Sequence, residues 1–313
     1  MDSLKRKTFI VIMFLFLVIE IGPRLGNFAL VNQSQVNNER ISTSDIPHSI
    51  TVVTAFFDIG TVKRVRDRRP QEYFKWAETF RYMRNALVVY TDSEQFRNHI
   101  TAVRSDLSQI TKIFMVDRSK LWSFQNLKKV TEIYNLKSYP KHYPNIIPLY
   151  TCVTHAKFDL IAKTAKDNYF KTKYFTWLDL GYLRNRKSHV MFHLSRPKHF
   201  NDLKVAVNQI SDIDNSRSPE AIVKSSRNFV GGGLFYGEKT RVILFAEDFK
   251  RAVRYFLSKN VTNSEQQILY AMFSKKGRQI LQPNVDLQLY RSKNNAWFYL
   301  GNSMISVENV KHN

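Results

Sequence analysis

The sequence predicts an α/β protein built on a mostly parallel sheet flanked by helices. Three observations carry the prediction. Short runs rich in β-branched and aromatic residues alternate with helical patterns through the first two hundred residues. One run, Tyr174-Phe175-Thr176-Trp177-Leu178, is apolar on both faces, as a central strand must be. It ends in Asp179-Leu180-Gly181, a carboxylate at the strand end where open α/β sheets bind ligands. A turn-capping Asp is the alternative for that element.

The chain has 313 residues, 43% of them hydrophobic, enough for a full core. Lys and Arg exceed Asp and Glu by 48 − 26 = 22. That excess suits a phosphate-bearing ligand, an anionic membrane surface or nucleic acid. The cations are spread along the chain and no nucleic-acid recognition motif occurs, which argues against the last. Cys152 is the single cysteine, so no disulfide forms within the chain.

At the N-terminus, Lys5-Arg6-Lys7 precedes an apolar run from Phe9 to Ile19, closed by Glu20, Gly22, Pro23 and Arg24. A basic flank before such a run predicts a signal anchor over residues 1–30, with a cleaved signal peptide as the alternative. The remainder is then expected across the membrane, in a single-pass type II arrangement. The sequons at Asn32 and Asn260 agree with that side. Residues 31–48 are polar and read as a stem, leaving 49–313 as the globular domain.

Ser49 to Phe57 is the expected first strand, ended by Asp58-Ile59-Gly60. Neither a dinucleotide fingerprint nor a P-loop follows. The run from Lys63 to Arg69 holds five cations in seven residues. It reads either as a solvated loop or as an anion-binding loop beside the strand end. Pro70 opens a helix expected to run to Arg84, with Trp76 and Phe80 in the core. Strands are expected at Ala86–Thr91 and Thr111–Asp117, with a helix between them. A helix over Ser123–Tyr134 and a proline-rich loop come next. The helix from Leu149 to Asn168 carries Lys157 inside its apolar stripe. That lysine either snorkels to the edge or faces an anion at the site.

Beyond Gly181 the chain turns basic again at Arg184, Arg186 and Lys187. A short strand is expected at Leu203–Ile210 and a polar loop at Asp212–Ser218. Three consecutive glycines, Gly231 to Gly233, interrupt strand-like residues, marking a bulge or a close approach of backbone to a ligand. Thr240 is expected to cap a helix reaching Lys259. Ser264 and Gln267 have capping-box spacing at the start of the next helix, and Glu265 suits its first turn. Short strands are expected around Trp297-Phe298-Tyr299.

Thr54-Ala55-Phe56-Phe57-Asp58, Arg104, Lys157, Trp177-Leu178-Asp179-Leu180-Gly181, Gly232 to Gly237 and Ser264-Glu265-Gln266 together resemble the HtrL/YibB family. The resemblance spans about residues 50–300. It implies a GT-A-like, Rossmann-like fold with a mixed sheet, and a glycosyltransferase reaction; the N-terminal segment adds the expected location, the Golgi or endoplasmic reticulum membrane. The expected partners are a nucleotide-sugar donor and a glycan, glycoprotein or glycolipid acceptor. Asp179 is the expected ligand of a divalent cation, Mn²⁺ or Mg²⁺, though Trp177 stands where better-known GT-A enzymes carry a first Asp. Asp58, Arg104, Lys157, Gly232 and Gly233 are the expected donor-binding residues, and Glu265 the catalytic carboxylate. A non-catalytic glycan-binding protein on the same fold is the alternative.

Overall fold

The computed structural model describes residues 50–62, 68–186 and 188–307. The expected signal anchor, the stem, the Asn32 sequon, most of the first basic run and Lys187 lie outside the described residues. No helix among the described residues is long and apolar enough to cross a membrane.

The strands are β1 (Ile50–Phe56), β2 (Ala86–Thr91), β3 (Thr111–Met115), β4 (Tyr174–Leu178), β5 (Phe192–Leu194), β6 (Lys204–Gln209), β7 (Val230–Glu238), β8 (Asp286–Tyr290) and β9 (Ile305–Val307). The α-helices are α1 (Pro70–Ala77), α2 (Glu94–Val103), α3 (Trp122–Gln125), α4 (Leu127–Asn135), α5 (Pro148–Asp167), α6 (Pro219–Val223), α7 (Lys239–Ser258), α8 (Glu265–Phe273), α9 (Lys275–Leu281) and α10 (Tyr299–Met304). Seven strands form one mixed sheet in the order β3-β2-β1-β4-β7-β6-β8. Strands β3, β2, β1 and β4 are parallel, and β7 runs against both of its neighbours. β5 and β9 make a separate antiparallel pair.

Period-two alternation sorts the strand side chains into two cores. Val53, Val88, Phe175, Trp177, Val207 and Phe235 point to a layer formed chiefly by α5, α7 and α8. Val52, Leu87, Tyr174, Leu178 and Tyr236 point to the opposite layer, with α1, α2 and α10. All five residues of β4 are buried, as a strand apolar on both faces requires. Phe158 of α5 stacks on Phe249 of α7 with ring centroids 3.6 Å apart and meets Phe235 of β7 at 5.3 Å. These rings fasten both long helices to the sheet.

The departures from expectation have local causes. The first helix stops at Ala77 and tightens into a 3₁₀ turn over Glu78–Tyr82, which brings the chain round to β2. The helix expected over 123–134 is broken at Asn126, whose Nδ2 donates to the Trp122 carbonyl 2.9 Å away. The glycines lie inside β7, opposite a register shift between Val207 and Gln209 of β6, as the bulge reading of a triple glycine allows. Glu238, not Thr240, caps α7, accepting from the Thr240 and Arg241 amides at 2.7 and 3.4 Å. The Ser264 hydroxyl donates to Gln267 Oε1 at 2.6 Å instead of accepting from the helix amide. Residues 297–299 are not a strand: the Phe298 and Tyr299 amides close a turn onto the Asn295 carbonyl that leads into α10.

Candidate functional site

The strand order reverses between β1 and β4, with β2 and β3 on one side and β7 on the other. A reversal of that kind leaves a crevice at the carboxyl ends of the strands. A cleft of about 560 Å³ opens there, within the size range of small-ligand sites. Its floor includes Lys157, Asp179, Gly233 and Glu265, and its mouth includes Arg68, Trp76, Arg184 and Phe298.

Each floor residue is brought there by an element already described. Asp179 lies one residue beyond β4, where its amide donates to the Gly233 carbonyl at 2.8 Å and extends the ladder by one step. Alternation gives it the face of Phe175 and Trp177, the side covered by α5 and α8. Lys157 comes from α5 and Glu265 from the first turn of α8. The Lys157 ammonium stands 2.9 Å from Asp179 Oδ1 and donates to Asp179 Oδ2 at 3.1 Å. It also donates to Glu265 Oε1 and the Gly232 carbonyl, each at 3.0 Å. Trp177 Nε1 donates to Asp179 Oδ1 at 2.7 Å. The Asp179 carboxylate therefore does not cap the turn, which the backbone closes by itself from Tyr182 N to Asp179 O.

The three charges sum to −1. Lys157 and Glu265 are almost sealed, each side chain 6% exposed, whereas Asp179 keeps 41% of its side chain open to the cleft. Glu265 Oε2 is buried and accepts no hydrogen bond from any described residue. Burial works against the Lys157 ammonium, but Asp179 and then Glu265 outweigh it and hold its pKa above the ordinary value. The Asp179 carboxyl is pushed up because the cleft walls replace water around it and Glu265 stands close, with Lys157 pulling the other way. His155, one turn-face away on α5, joins Nε2 to the Asn263 carbonyl at 2.8 Å, tying α5 to the residues that lead into α8. Burial, assisted by Lys157, lowers its pKa to about 4 against the pull of that carbonyl, so it is a neutral strut.

The glycines serve this cluster. A Cβ on Gly232 would lie 2.0 Å from Glu265 Oε1, and one on Gly233 would meet the Tyr182 ring at 3.0 Å and Asp179 Oδ2 at 3.5 Å. The close approach expected at the triple glycine is thus made by the protein's own Glu265 and Lys157. At the mouth, a Cβ on Gly181 would strike Trp76 at 2.8 Å. Two guanidinium groups lie over the Trp76 ring, Arg68 at 5.6 Å and Arg184 at 5.8 Å from its centroid. Arg184 also covers the Phe298 ring at 4.8 Å and donates to the Gly181 carbonyl at 2.7 Å. The cleft is therefore basic and aromatic at its mouth and acidic at its floor.

Two of the sequence-derived residues are elsewhere. Arg104 is 1% exposed and lies where α2 hands over to β3, at the amino ends of the parallel strands, across the sheet from the cleft. Its guanidinium donates to the carbonyls of Phe80, Met83 and Asn85 and to the Thr111 hydroxyl. Four of its five N–H groups are spent on these protein oxygens, and it lies at the end of the sheet away from the cleft, so it does not meet a donor phosphate there. Asp58 is at the correct end of the sheet, but its carboxylate accepts from the Gly60 amide of its own turn at 2.9 Å. It borders a small cavity of about 70 Å³ beside the cleft, not the cleft itself.

The floor does not fit a divalent ion. An ammonium already stands within 3.1 Å of both Asp179 oxygens and of Glu265 Oε1. The place between the carboxylates is thus filled, and a divalent ion could take it only by displacing the ammonium. No group of three His, Cys, Asp or Glu capable of holding a metal occurs among the described residues. Trp76, expected in the core, is a half-buried wall of the cleft. Arg68 and Arg184 were visible in the sequence only as members of basic runs, and no spacing rule separates them from their solvated neighbours.

The fold and this cleft belong to a family without an assigned activity. The family described as "Bacterial protein of unknown function (HtrL_YibB)" matches residues 48–298, and the chain belongs to it. A comparison with curated proteins returns no match.

Proposed function

We propose that this protein is a GT-A-like glycosyltransferase that moves a sugar from a nucleotide donor to a glycan, glycoprotein or glycolipid hydroxyl. The observation that carries the reading is the pair of carboxylates, Asp179 and Glu265, joined by one buried lysine at the floor of a cleft with a basic, aromatic mouth. That polarity suits a ligand with a diphosphate at one end and hydroxyls at the other. Arg68 and Arg184 would meet the diphosphate. Asp179, open to the cleft and with its pKa raised by burial, would accept the acceptor's hydroxyl proton while the anomeric carbon passes from the diphosphate oxygen to the acceptor oxygen. The diphosphate departs with the bonding electrons. Glu265 would hold Lys157 from the closed side of the floor, and Lys157 would hold both carboxylates in place.

Membrane anchorage and a Golgi or endoplasmic reticulum location belong to the same proposal and rest on the basic-apolar start of the sequence. Fluorescence microscopy of the tagged full-length chain tests them: a diffuse cytosolic signal refutes both. The enzyme reading is tested by following donor hydrolysis and transfer with wild type and Asp179→Asn. Loss of turnover with retained fold is the expected outcome, and full turnover by the variant refutes Asp179's role. The non-catalytic alternative draws on one feature, the satisfaction of Lys157 entirely by protein oxygens, as in a structural ion cluster. Binding of a nucleotide-sugar without any turnover would favour it.

A further inference from the structure

We infer that Lys157 holds the position of the divalent cation in this cleft, so that the site takes its phosphate-bearing ligand through Arg68 and Arg184 without a metal. The ligand class rests on the reading above; the displacement of the metal does not.

Four oxygens surround the ammonium: both of Asp179, Oε1 of Glu265 and the Gly232 carbonyl, at 2.9 to 3.1 Å. That is an oxygen cage of the kind a hard cation takes, but at ammonium rather than metal distances, since Mg²⁺ needs about 2.0–2.1 Å. The chain is shaped around the cage. Gly232 has no side chain where a Cβ would come within 2.0 Å of Glu265 Oε1. Trp177 lies two residues before Asp179 on the same strand face. Its indole donates to Asp179 Oδ1 at 2.7 Å, and the Lys157 ammonium lies 6.0 Å from its ring centroid. Both contacts favour an ammonium in the cage. The surrounding carboxylates keep that ammonium charged through the neutral range.

The hydrogen-bonding capacity of Lys157 is filled by these protein oxygens, so it does not reach a phosphate. The cations that line the cleft outside the cage are Arg68 and Arg184. Arg68 is carried by paired backbone bonds with Val62, each 3.0 Å, and Arg184 is anchored on Gly181. Both guanidinium groups lie against Trp76 and place two positive charges at the cleft mouth, where diphosphate oxygens would lie.

Titration of the full chain with Mn²⁺, followed by electron paramagnetic resonance in the absence of nucleotide, tests the displacement. Wild type is expected to show no bound Mn²⁺ that Asp179→Asn removes. Lys157→Ala, which frees three carboxylate oxygens around one vacancy, is expected to gain one Mn²⁺ site, and Lys157→Ala with Asp179→Asn to lose it. Stoichiometric Mn²⁺ on wild type that disappears in Asp179→Asn overturns the inference. So does a folded Lys157→Ala that binds no Mn²⁺. Should Lys157→Ala not fold, Lys157→Met keeps most of the length without the charge, and the wild-type titration decides alone. Calorimetry with a nucleoside diphosphate completes the test: its affinity is expected to be the same in EDTA and in Mn²⁺, and at least tenfold weaker in Arg184→Ala. A tenfold gain in wild-type affinity on adding Mn²⁺ overturns the inference. Absence of nucleotide binding under either condition overturns the ligand class while the Mn²⁺ result stands on its own.

Discussion

Arg104 and Lys157 are both buried cations on helices packed against the same sheet, and both were expected to meet a phosphate. They lie at opposite ends of it. Arg104, at the amino ends of the parallel strands, is surrounded by neutral carbonyls. Burial, with Arg84 nearby, lowers its pKa to about 9. Lys157, at the carboxyl ends, is surrounded by carboxylates, which raise its pKa. The Arg104 cage stitches the chain ahead of β2 and β3; the Lys157 cage organises a cleft. A buried cation is thus read by its neighbours: neutral acceptors mark a structural staple, anionic ones a site with charge to spare.

That contrast can be broken from both sides. Asp179→Asn is expected to have the largest effect, a loss of turnover of about 10²–10⁴-fold, with thermal unfolding little changed. Arg104→Met is expected to do the reverse. It leaves several buried carbonyls unpaired and costs about 3 kcal/mol or more in urea unfolding, while the folded fraction keeps its affinity for nucleotide. Gly232→Ala falls between them. Its methyl group would force Glu265 off Lys157, for about 1–3 kcal/mol of stability together with weakened ligand binding by calorimetry.

The smallest effect is an alkaline one. Lys157 has a higher pKa folded than unfolded, so its contribution is complete below its ordinary value of 10.5 and is lost as pH climbs beyond it. Buried tyrosines such as Tyr90, pushed up to about 12, add to the same alkaline decline because they ionise more readily once unfolded. The difference between wild type and Lys157→Met isolates the lysine: the stability gap should narrow between pH 10 and 12. A constant gap would mean that the cage does not hold the ammonium.

The parallel half of the sheet was legible because β1, β2 and β4 are buried on both faces and the strands are separated by helical patterns. Asp179 was legible because β4 fixes its face, and Gly232 because consecutive glycines in a strand signal close approach. What periodicity lacks is the identity of the third-dimensional neighbour. Lys157 fitted two readings until α8 brought Glu265 against it. Arg104 gave no local sign that the carbonyls of Phe80 and Asn85 would surround it. The stretch around Trp297 has strand composition, yet the Asn295 carbonyl captures its amides and turns it into α10. The break at Asn126 likewise depends on one side-chain bond that a hydrophobic pattern cannot carry.

The most direct test of the account is to follow turnover of a panel of nucleotide-sugars by wild type and Asp179→Asn, both in EDTA. The account predicts turnover of at least one donor by wild type, lowered at least about a hundredfold in the variant. Turnover that Asp179→Asn leaves unchanged, or turnover of no donor by wild type, would contradict it.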